Sequence, residues 1–189
     1  MTDDDFFFDY DKNVENKICF SNLSLLRRDI NTCFGKNPND PSIKIEYIAI
    51  WPGTMGILGG IDLLAKFYCG DDSFENSRSR FIKYTEKFID SKYKEELYQL
   101  RNSLLHSFGL FSKGKNSKEY KFILTRSKGF LIKRKDLSNS YCVSVDNLHE
   151  KFEASITEFK KIYSSLESFQ NFESLFKKYG STEINKNSC

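Results

Sequence analysis

The sequence predicts a mainly α fold: a helical bundle of four to five helices with a small β-hairpin inserted before the last long helix. Two observations predict this class. Apolar residues recur at helical spacing through most of the chain, and the spacing changes to alternation only around residues 119–145. Hydrophobic residues make up 39% of the 189 residues and charged residues 29%, a balance typical of one globular domain.

The first two helices are predicted on either side of a turn-rich segment. The stretch "LSLLRRDINTCF" has helical spacing, and Ser21 or Asn22 is placed to cap it. A long apolar segment at residues 43–70 repeats its apolar residues with the same spacing. Pro52 should break or kink that segment, because proline lacks the N–H group that a helix interior needs.

Two more helices and the predicted hairpin follow. "SRFIKYTEKFI" forms a short helix, and "KYKEELYQLRNSLLHSFGLF" forms the next, which ends near Gly109. "EYKFILTR" and "FLIKRKDL" then alternate as two strands around the turn "SKG", and "NSYCVSV" adds a third short strand. Ser144 or Asp146 caps the last long helix, and "FQNFESLFKKYG" continues it or forms a separate helix.

Composition predicts one domain in a reducing compartment. We expect a flexible acidic N-terminus at residues 1–16, a single domain at 17–179 and a flexible tail at 180–189. The acidic start does not resemble a signal peptide, and the longest uncharged run, 15 residues at 47–61, is shorter than the roughly 20 of a membrane span. We therefore expect a cytoplasmic protein with no membrane contact.

The cysteines and the missing motifs narrow the functional classes. The five cysteines are widely spaced and form no CxxC pair, which argues against a disulfide framework and a zinc site. No phosphate-binding loop, dinucleotide fingerprint or HExxH motif is present, so we expect no cofactor and no metal. The formal charge of +3 permits an anionic partner without indicating one. Of the two histidines, His149 is expected on the surface of its helix.

One helix carries polar residues that a core-forming helix does not need. On a wheel of about 100° per residue, four apolar residues of "LYQLRNSLLHSF" predict its core face: Leu97, Leu100, Leu104 and Phe108. An adjoining arc carries three hydrogen-bonding residues: Arg101, Asn102 and His106. Histidine exchanges protons near neutrality, and the planar fork of arginine suits a phosphate.

These residue types suit phosphodiester cleavage without a metal. His106 would deprotonate a ribose 2′-hydroxyl or protonate the leaving oxygen. Arg101 would stabilise charge on the phosphoryl oxygens, and Asn102 would orient His106 or hold a phosphate oxygen. Such a mechanism requires the 2′-hydroxyl and therefore predicts RNA as the substrate.

The same helix predicts a homodimer. Arg101 and His106 lie about 140° apart around the axis and about 7.5 Å apart along it, so one helix is not expected to bring them together. Two copies related by a two-fold axis would place both pairs in one cleft. Three residues on this arc are predicted at the dimer interface: Tyr98, Leu105 and Gly109.

The predicted hairpin supplies a secondary candidate site. Five basic residues could guide an RNA backbone: Arg126, Lys128, Lys133, Arg134 and Lys135. The alternative is that they form an ordinary solvated face of the hairpin.

The stretch "LRNSLLH" resembles the Arg-x4-6-His motif of the HEPN superfamily, with four residues between Arg101 and His106 and with asparagine directly after arginine, as is common there. "GIDLLAKFY", an aromatic helix and "LYQLRNSLLHSFGL" are similar to small stand-alone bacterial HEPN-like proteins, over about residues 20–170. The resemblance implies a HEPN-like bundle that dimerises through its motif helices. It also implies a metal-independent ribonuclease, of the kind found in toxin–antitoxin and phage-defence systems, with an antitoxin or other defence protein as a further partner.

The chain departs from some members of the superfamily at the second residue after the histidine. Some toxin members carry a tyrosine two residues after the histidine, which a partner enzyme modifies, but this chain has Phe108 there, so we expect no such silencing. Two hypotheses remain open: a dimeric ribonuclease, or a non-catalytic HEPN-like dimerisation, adaptor or RNA-binding module. The enzyme requires Arg101 and His106 to line an open cleft with free polar tips, whereas an adaptor would bury them or leave them apart.

Overall fold

A computed structural model describes most of the chain. The described residues are 3–8, 19–37, 40, 42–43, 48–114, 117–135 and 140–183. The helices in these ranges are α1 (Asp3–Phe8), α2 (Asn22–Cys33), α3 (Ile50–Cys69), α4 (Ser77–Tyr84), α5 (Lys94–Ser107), α6 (Val145–Tyr163) and α7 (Phe172–Tyr179). The strands are β1 (Cys19–Ser21), β2 (Phe111–Lys113), β3 (Glu119–Thr125), β4 (Ile132–Lys135), β5 (Ser140–Ser144) and β6 (Ser181–Glu183).

The predicted fold class is therefore wrong. The described residues form a mixed α/β fold with seven α-helices and two sheets, rather than a mainly α, HEPN-like bundle of four to five helices with one hairpin. Three of the six strands are only three residues long. Alternation needs about four to eight residues to be recognised, so these strands leave no readable pattern in the sequence.

The central helix is α3, which contacts α2, α4, α5, α6 and α7. Pro52 does not break it, because the helix begins at Ile50 and the proline sits in the first turn, where no N–H donor is required. A Cβ on Gly60 would lie 2.5 Å from Cζ of Phe152, and one on Gly56 would lie 2.8 Å from Cγ1 of Ile30. Glycine at these positions thus lets α6 and α2 approach α3 closely. Residues 44–47 of the predicted apolar segment lie outside the described residues.

The predicted caps of the flanking helices are confirmed. The Ser21 side chain accepts a hydrogen bond from the Ser24 N–H at 3.3 Å, and α2 begins at Asn22. The Ser144 side chain accepts from the Asn147 N–H at 3.3 Å at the start of α6. Side-chain oxygens at this position satisfy the unpaired N–H groups of a first helical turn.

The larger sheet has the order β2-β3-β5-β4, which overturns the predicted pairing of β3 with β4. The predicted third strand, β5, lies between them, parallel to β3 and antiparallel to β4. The reason is burial: β5 carries the buried side chains of Tyr141 and Val143, whereas Lys133, Arg134 and Lys135 of β4 are exposed. A charged strand suits the edge of a sheet.

Both ends of the described chain contact the rest of the domain, while the flexibility predicted for residues 1–16 and 180–189 stays a prediction. Phe7 of α1 is 0% exposed, and its ring lies 4.3 Å from that of Phe67. Strand β6 pairs antiparallel with β1, and the Asn22 N–H donates to the Gly180 carbonyl at 3.0 Å. Phe7 and Phe8 of the acidic segment are thus core residues, a role that the charge of the segment conceals in the sequence.

Candidate functional site

Helix α5 anchors the candidate site to the core. Leu97, Leu100 and Leu104 are fully buried, as predicted. Phe108 is not part of this face, because α5 ends at Ser107 and Phe108 adopts a left-handed conformation with φ 45°. Its ring is 74% exposed. The buried leucines fix the orientation of α5, and the polar arc faces α3 and α4.

Arg101 is the centre of the polar contacts on α5. Its Nε donates to Oδ2 of Asp62 at 2.7 Å, and its Nη2 lies 2.5 Å from the same oxygen. Its Nη1 donates to Oδ1 of Asn102 at 3.0 Å and lies 2.7 Å from Nε2 of His106. Asn102 thus contacts Arg101, and its predicted role in orienting His106 or holding a phosphate oxygen stays a prediction.

The contact between Arg101 and His106 fixes the form of the imidazole. Guanidinium nitrogen carries only donors, so Nε2 of His106 must accept the hydrogen bond. An imidazole that accepts in this way carries its proton on Nδ1. The lone pair of Nε2 is occupied in this contact, so His106 can act as a general base only after Arg101 releases it.

The expectation that one helix keeps Arg101 and His106 apart is wrong, since the two side chains touch within one chain. A helical wheel follows only the directions of the Cβ atoms. The long arginine side chain reaches along the helix toward the last turn, which carries His106. The site therefore does not need a second copy to bring arginine and histidine together.

The three predicted catalytic residues line a groove of about 530 Å³. Small-molecule sites in proteins span about 300–1,000 Å³. Helices α3, α4 and α5 and the loop between α3 and α4 form the walls. The other lining residues are Asp62, Lys66, Asp72, Phe74, Ser77, Arg80 and Tyr98.

Comparison with protein-family models, curated proteins and solved structures returned no match. The site is therefore interpreted from its own geometry.

Lys66 is a groove residue that the sequence analysis missed. Its Nζ lies 3.7 Å from the centre of the Tyr179 ring, a cation–π contact. Burial is the main cause that lowers the pKa of Lys66, and the positive charges of Arg80 and Arg101 lower it further. The carboxylates of Asp62 and Asp72 act in the opposite direction. The signal was available, because Asp62 and Lys66 are the only charged residues of the otherwise apolar α3 and stand one turn apart.

The loop between α3 and α4 is organised by a single carboxylate. Asp71 accepts hydrogen bonds from the Ser73 N–H at 2.9 Å and from Nδ2 of Asn76 at 2.9 Å. The buried Arg80 guanidinium donates to the Asp71 carboxylate and to the Ser73 carbonyl. These bonds, led by that from the Ser73 N–H, lower the pKa of Asp71 well below its usual range. The loop is thus pinned at the groove's edge.

The predicted interface residues lie on or near this surface. Tyr98 lines the groove and packs against Phe81, with 5.7 Å between ring centres. Leu105 and Gly109 are half-buried. A dimer through these residues stays a prediction.

The predicted RNA-guiding residues do not line the groove. Nε of Arg126 donates to Oδ1 of Asp146 at 3.0 Å, which neutralises its charge at the start of α6. Lys128, Lys133, Arg134 and Lys135 are exposed. They lie on the edge strand β4 and the turn before it, and a role in guiding an RNA backbone stays a prediction.

His149 is not on the surface, contrary to expectation. It is 6% exposed, and its ring stacks on Phe34 with 5.0 Å between centres. Burial is the main cause that lowers the pKa of His149, and the positive charge of Lys36 lowers it further. Among the described residues, no hydrogen-bond partner reaches its Nε2. His149 therefore belongs to the packing between α2 and α6.

The described residues offer neither a membrane-spanning helix nor a cluster of metal ligands. No helix there has both the length and the apolar character needed to cross a bilayer. No group of three or more His, Cys, Asp or Glu side chains in the same residues is placed to hold a metal ion.

Proposed function

We propose that this protein is an endoribonuclease that cleaves RNA through attack of a ribose 2′-hydroxyl on the adjacent phosphodiester, without a metal. One observation carries the proposal: Nη1 of Arg101 lies 2.7 Å from Nε2 of His106 in an open groove of one chain. The reaction needs a cation that binds the phosphate and an imidazole that accepts the proton of the 2′-hydroxyl, and this pair can supply both.

In the first step, the RNA phosphate replaces His106 as the hydrogen-bond acceptor of Arg101. A phosphodiester oxygen accepts from Nη1, which releases Nε2 of His106. The released nitrogen takes the proton of the 2′-hydroxyl, the 2′-oxygen bonds to phosphorus, and the bond from phosphorus to the 5′-oxygen breaks. The products are a 2′,3′-cyclic phosphate and a 5′-hydroxyl. DNA cannot react, because it lacks the nucleophile.

Two neighbours complete the proposed site. Asp62 positions the guanidinium by accepting from Nε and Nη2, which leaves Nη1 toward the groove. Lys66 donates the proton that the departing 5′-oxygen requires. Its lowered pKa makes the ammonium a stronger acid than an ordinary lysine.

A second candidate function is a non-catalytic RNA-binding or adaptor module. The observation that favours it is that the Arg101 tip is already hydrogen-bonded to Asp62, Asn102 and His106. A network satisfied within the chain is also what a purely structural role would produce. The ribonuclease proposal differs because it requires a phosphate to displace His106 from Nη1.

The test is cleavage of single-stranded RNA by the purified chain in excess EDTA. We expect cleavage with 2′,3′-cyclic phosphate ends, identified by mass spectrometry, and its loss in Arg101→Ala and His106→Ala. Arg28→Ala is the matched control, because Arg28 is an exposed arginine of α2, away from the groove, whose guanidinium pairs with its neighbour Asp29.

Three outcomes would overturn the proposal. Wild-type protein without activity on any RNA would favour the adaptor. Equal activity in the two variants would place the chemistry elsewhere. Loss of thermal stability in both variants, together with loss of activity, would show that Arg101 and His106 have a structural role. His106→Gln distinguishes a structural from a catalytic role, because glutamine retains a hydrogen-bond acceptor for Arg101 but no proton-transfer group.

A further inference from the structure

The most exposed large aromatic side chain at the groove is Phe74. Its ring is 87% exposed, although it lines the same groove as Arg101 and His106. We infer that Phe74 is a stacking platform for an unpaired nucleobase, so that the groove takes a single-stranded RNA segment with one base on Phe74 and the neighbouring phosphate at Arg101. This inference rests on the proposed function and names its substrate class.

The position of Phe74 is fixed by its loop. The flanking Ser73 is held through its N–H and hydroxyl by Asp71, at 2.9 and 3.1 Å, and through its carbonyl by Arg80. Asn76 is tied to the same carboxylate at 2.9 Å. The phenyl ring is therefore presented to solvent by an ordered turn. Because the backbone on either side of Phe74 is already ordered, a flat partner can bind the ring without the entropy cost of ordering the loop.

The charges of the groove match a nucleotide. Three cationic side chains line it, namely Lys66, Arg80 and Arg101, against two carboxylates, Asp62 and Asp72, so the cations are in excess. Asp62 is paired with Arg101 and Asp72 with Lys178. A phosphate is attracted to these cations, while a base presents a flat face to Phe74. Proteins that bind single-stranded RNA combine the same two elements, a cationic groove that follows the backbone and aromatic rings that stack the bases.

Stacking on Phe74 also selects the form of the RNA. A base paired within a helix has both faces covered by its neighbours, and only an unstacked base can lie on a side chain. The groove should therefore prefer unpaired loops and single strands over duplex RNA. Stacking alone is tolerant of base identity, so we expect little sequence preference from Phe74.

The test separates binding from cleavage. The probe is a fluorescently labelled single-stranded oligonucleotide with 2′-O-methyl riboses, which cannot undergo 2′-hydroxyl attack, and its affinity is measured by anisotropy. Phe74→Leu keeps an apolar side chain without a π face and should weaken binding by roughly 5- to 100-fold. Phe74→Trp should bind as tightly as wild type or more tightly. A duplex of the same sequence should bind wild type more weakly than the single strand does, and Phe74→Leu should not change the affinity for the duplex.

The matched control is Phe111→Ala. Phe111 is another exposed phenylalanine, 46% accessible on strand β2, and it does not line the groove. Its substitution should leave the affinity for the oligonucleotide unchanged.

The outcomes distinguish this inference from the proposed function. Equal affinity of wild type and Phe74→Leu, or no binding of single strands at all, would overturn the stacking platform. Dissociation of a wild-type dimer by Phe74→Leu, seen by sedimentation, would also overturn it, since the ring would then cover a second copy. Binding that depends on Phe74, with no cleavage of ordinary RNA, would sustain the platform and overturn the ribonuclease.

Discussion

At the scale of single residues, Arg101 connects two helices that the sequence does not link. Its carboxylate partner, Asp62, lies 39 residues earlier, on α3. Arg101, Asn102 and His106 could be singled out from "LRNSLLH", because they stand together on one arc beside the apolar face of the helix. Asp62 could not be assigned to Arg101, because their contact depends on how α3 packs against α5.

Asp62→Asn tests whether that carboxylate positions the guanidinium. The amide has nearly the same shape but offers Arg101 one acceptor and one donor instead of a carboxylate. We expect kcat for RNA cleavage to fall roughly 10- to 100-fold with little change in KM, because misplacement of a reacting group costs rate more than binding. Steady-state kinetics measures both constants. Asp29→Asn is the control, and a raised KM with unchanged kcat would assign Asp62 to binding.

His149 predicts a pH dependence of stability. Its folded pKa lies below the ordinary value of 6.5, mainly because of burial. As the pH falls through about 6.5, the unfolded chain binds a proton that the folded chain does not, so the free energy of unfolding decreases until the lower folded pKa is passed. Carboxylates at Asp146, Glu150 and Glu153 oppose this shift, and Lys36 reinforces it.

The comparison is wild type against His149→Phe, with urea unfolding at about pH 8 and about pH 5. Phenylalanine keeps the ring stack on Phe34 without a titrating group. We expect the variant to lose less stability than wild type between the two pH values. An equal loss in both proteins would show that His149 is protonated in the folded state or that its surroundings relax to accommodate the charge.

At the scale of elements, the longer helices were predictable, whereas the first helix and the order of the strands in the sheet were not. The helices α2, α3, α5 and α6 have repeated apolar spacing over three or more turns, and their caps at Ser21 and Ser144 are local. The order of the sheet depends instead on which strand is buried between two others. Consecutive strands usually pair, and β3 and β4 depart from that tendency because β5 lies between them.

The end of α5 offers a test of local strain. Phe108 is held at φ 45° and ψ 40°, a conformation that costs an L-residue about 1–2 kcal/mol and costs glycine little. Since its ring is exposed, Phe108→Gly should raise the free energy of unfolding by about 1 kcal/mol, measured by urea denaturation. Phe108→Ala keeps the strained geometry and should give no gain. An equal gain from both would trace the effect to removal of the exposed ring.

At the scale of the whole molecule, the domain is closed by aromatic contacts between its first and last helices. Phe7 packs against Phe67 and Phe172, with ring centres 4.3 and 6.2 Å away. Phe7→Ala should therefore lower the free energy of unfolding by about 3–5 kcal/mol. Phe74→Ala removes an exposed ring and should change it by less than about 0.5 kcal/mol. A small effect at Phe7 would mean that α1 docks weakly.

The pairing of β1 with β6 has a consequence for synthesis on the ribosome. Asn22 bonds to the Tyr179 carbonyl, 157 residues later in the chain. At about 5–20 residues per second, the partners of β1 and α1 emerge on the order of ten seconds after those segments do. During that interval the phenylalanines of α1 have no α7 to cover them. The rings of Phe7 and Phe8 therefore gain their full set of contacts only after residues 159–176 have been synthesised, so the first helix of the described chain is among the last to be completely packed.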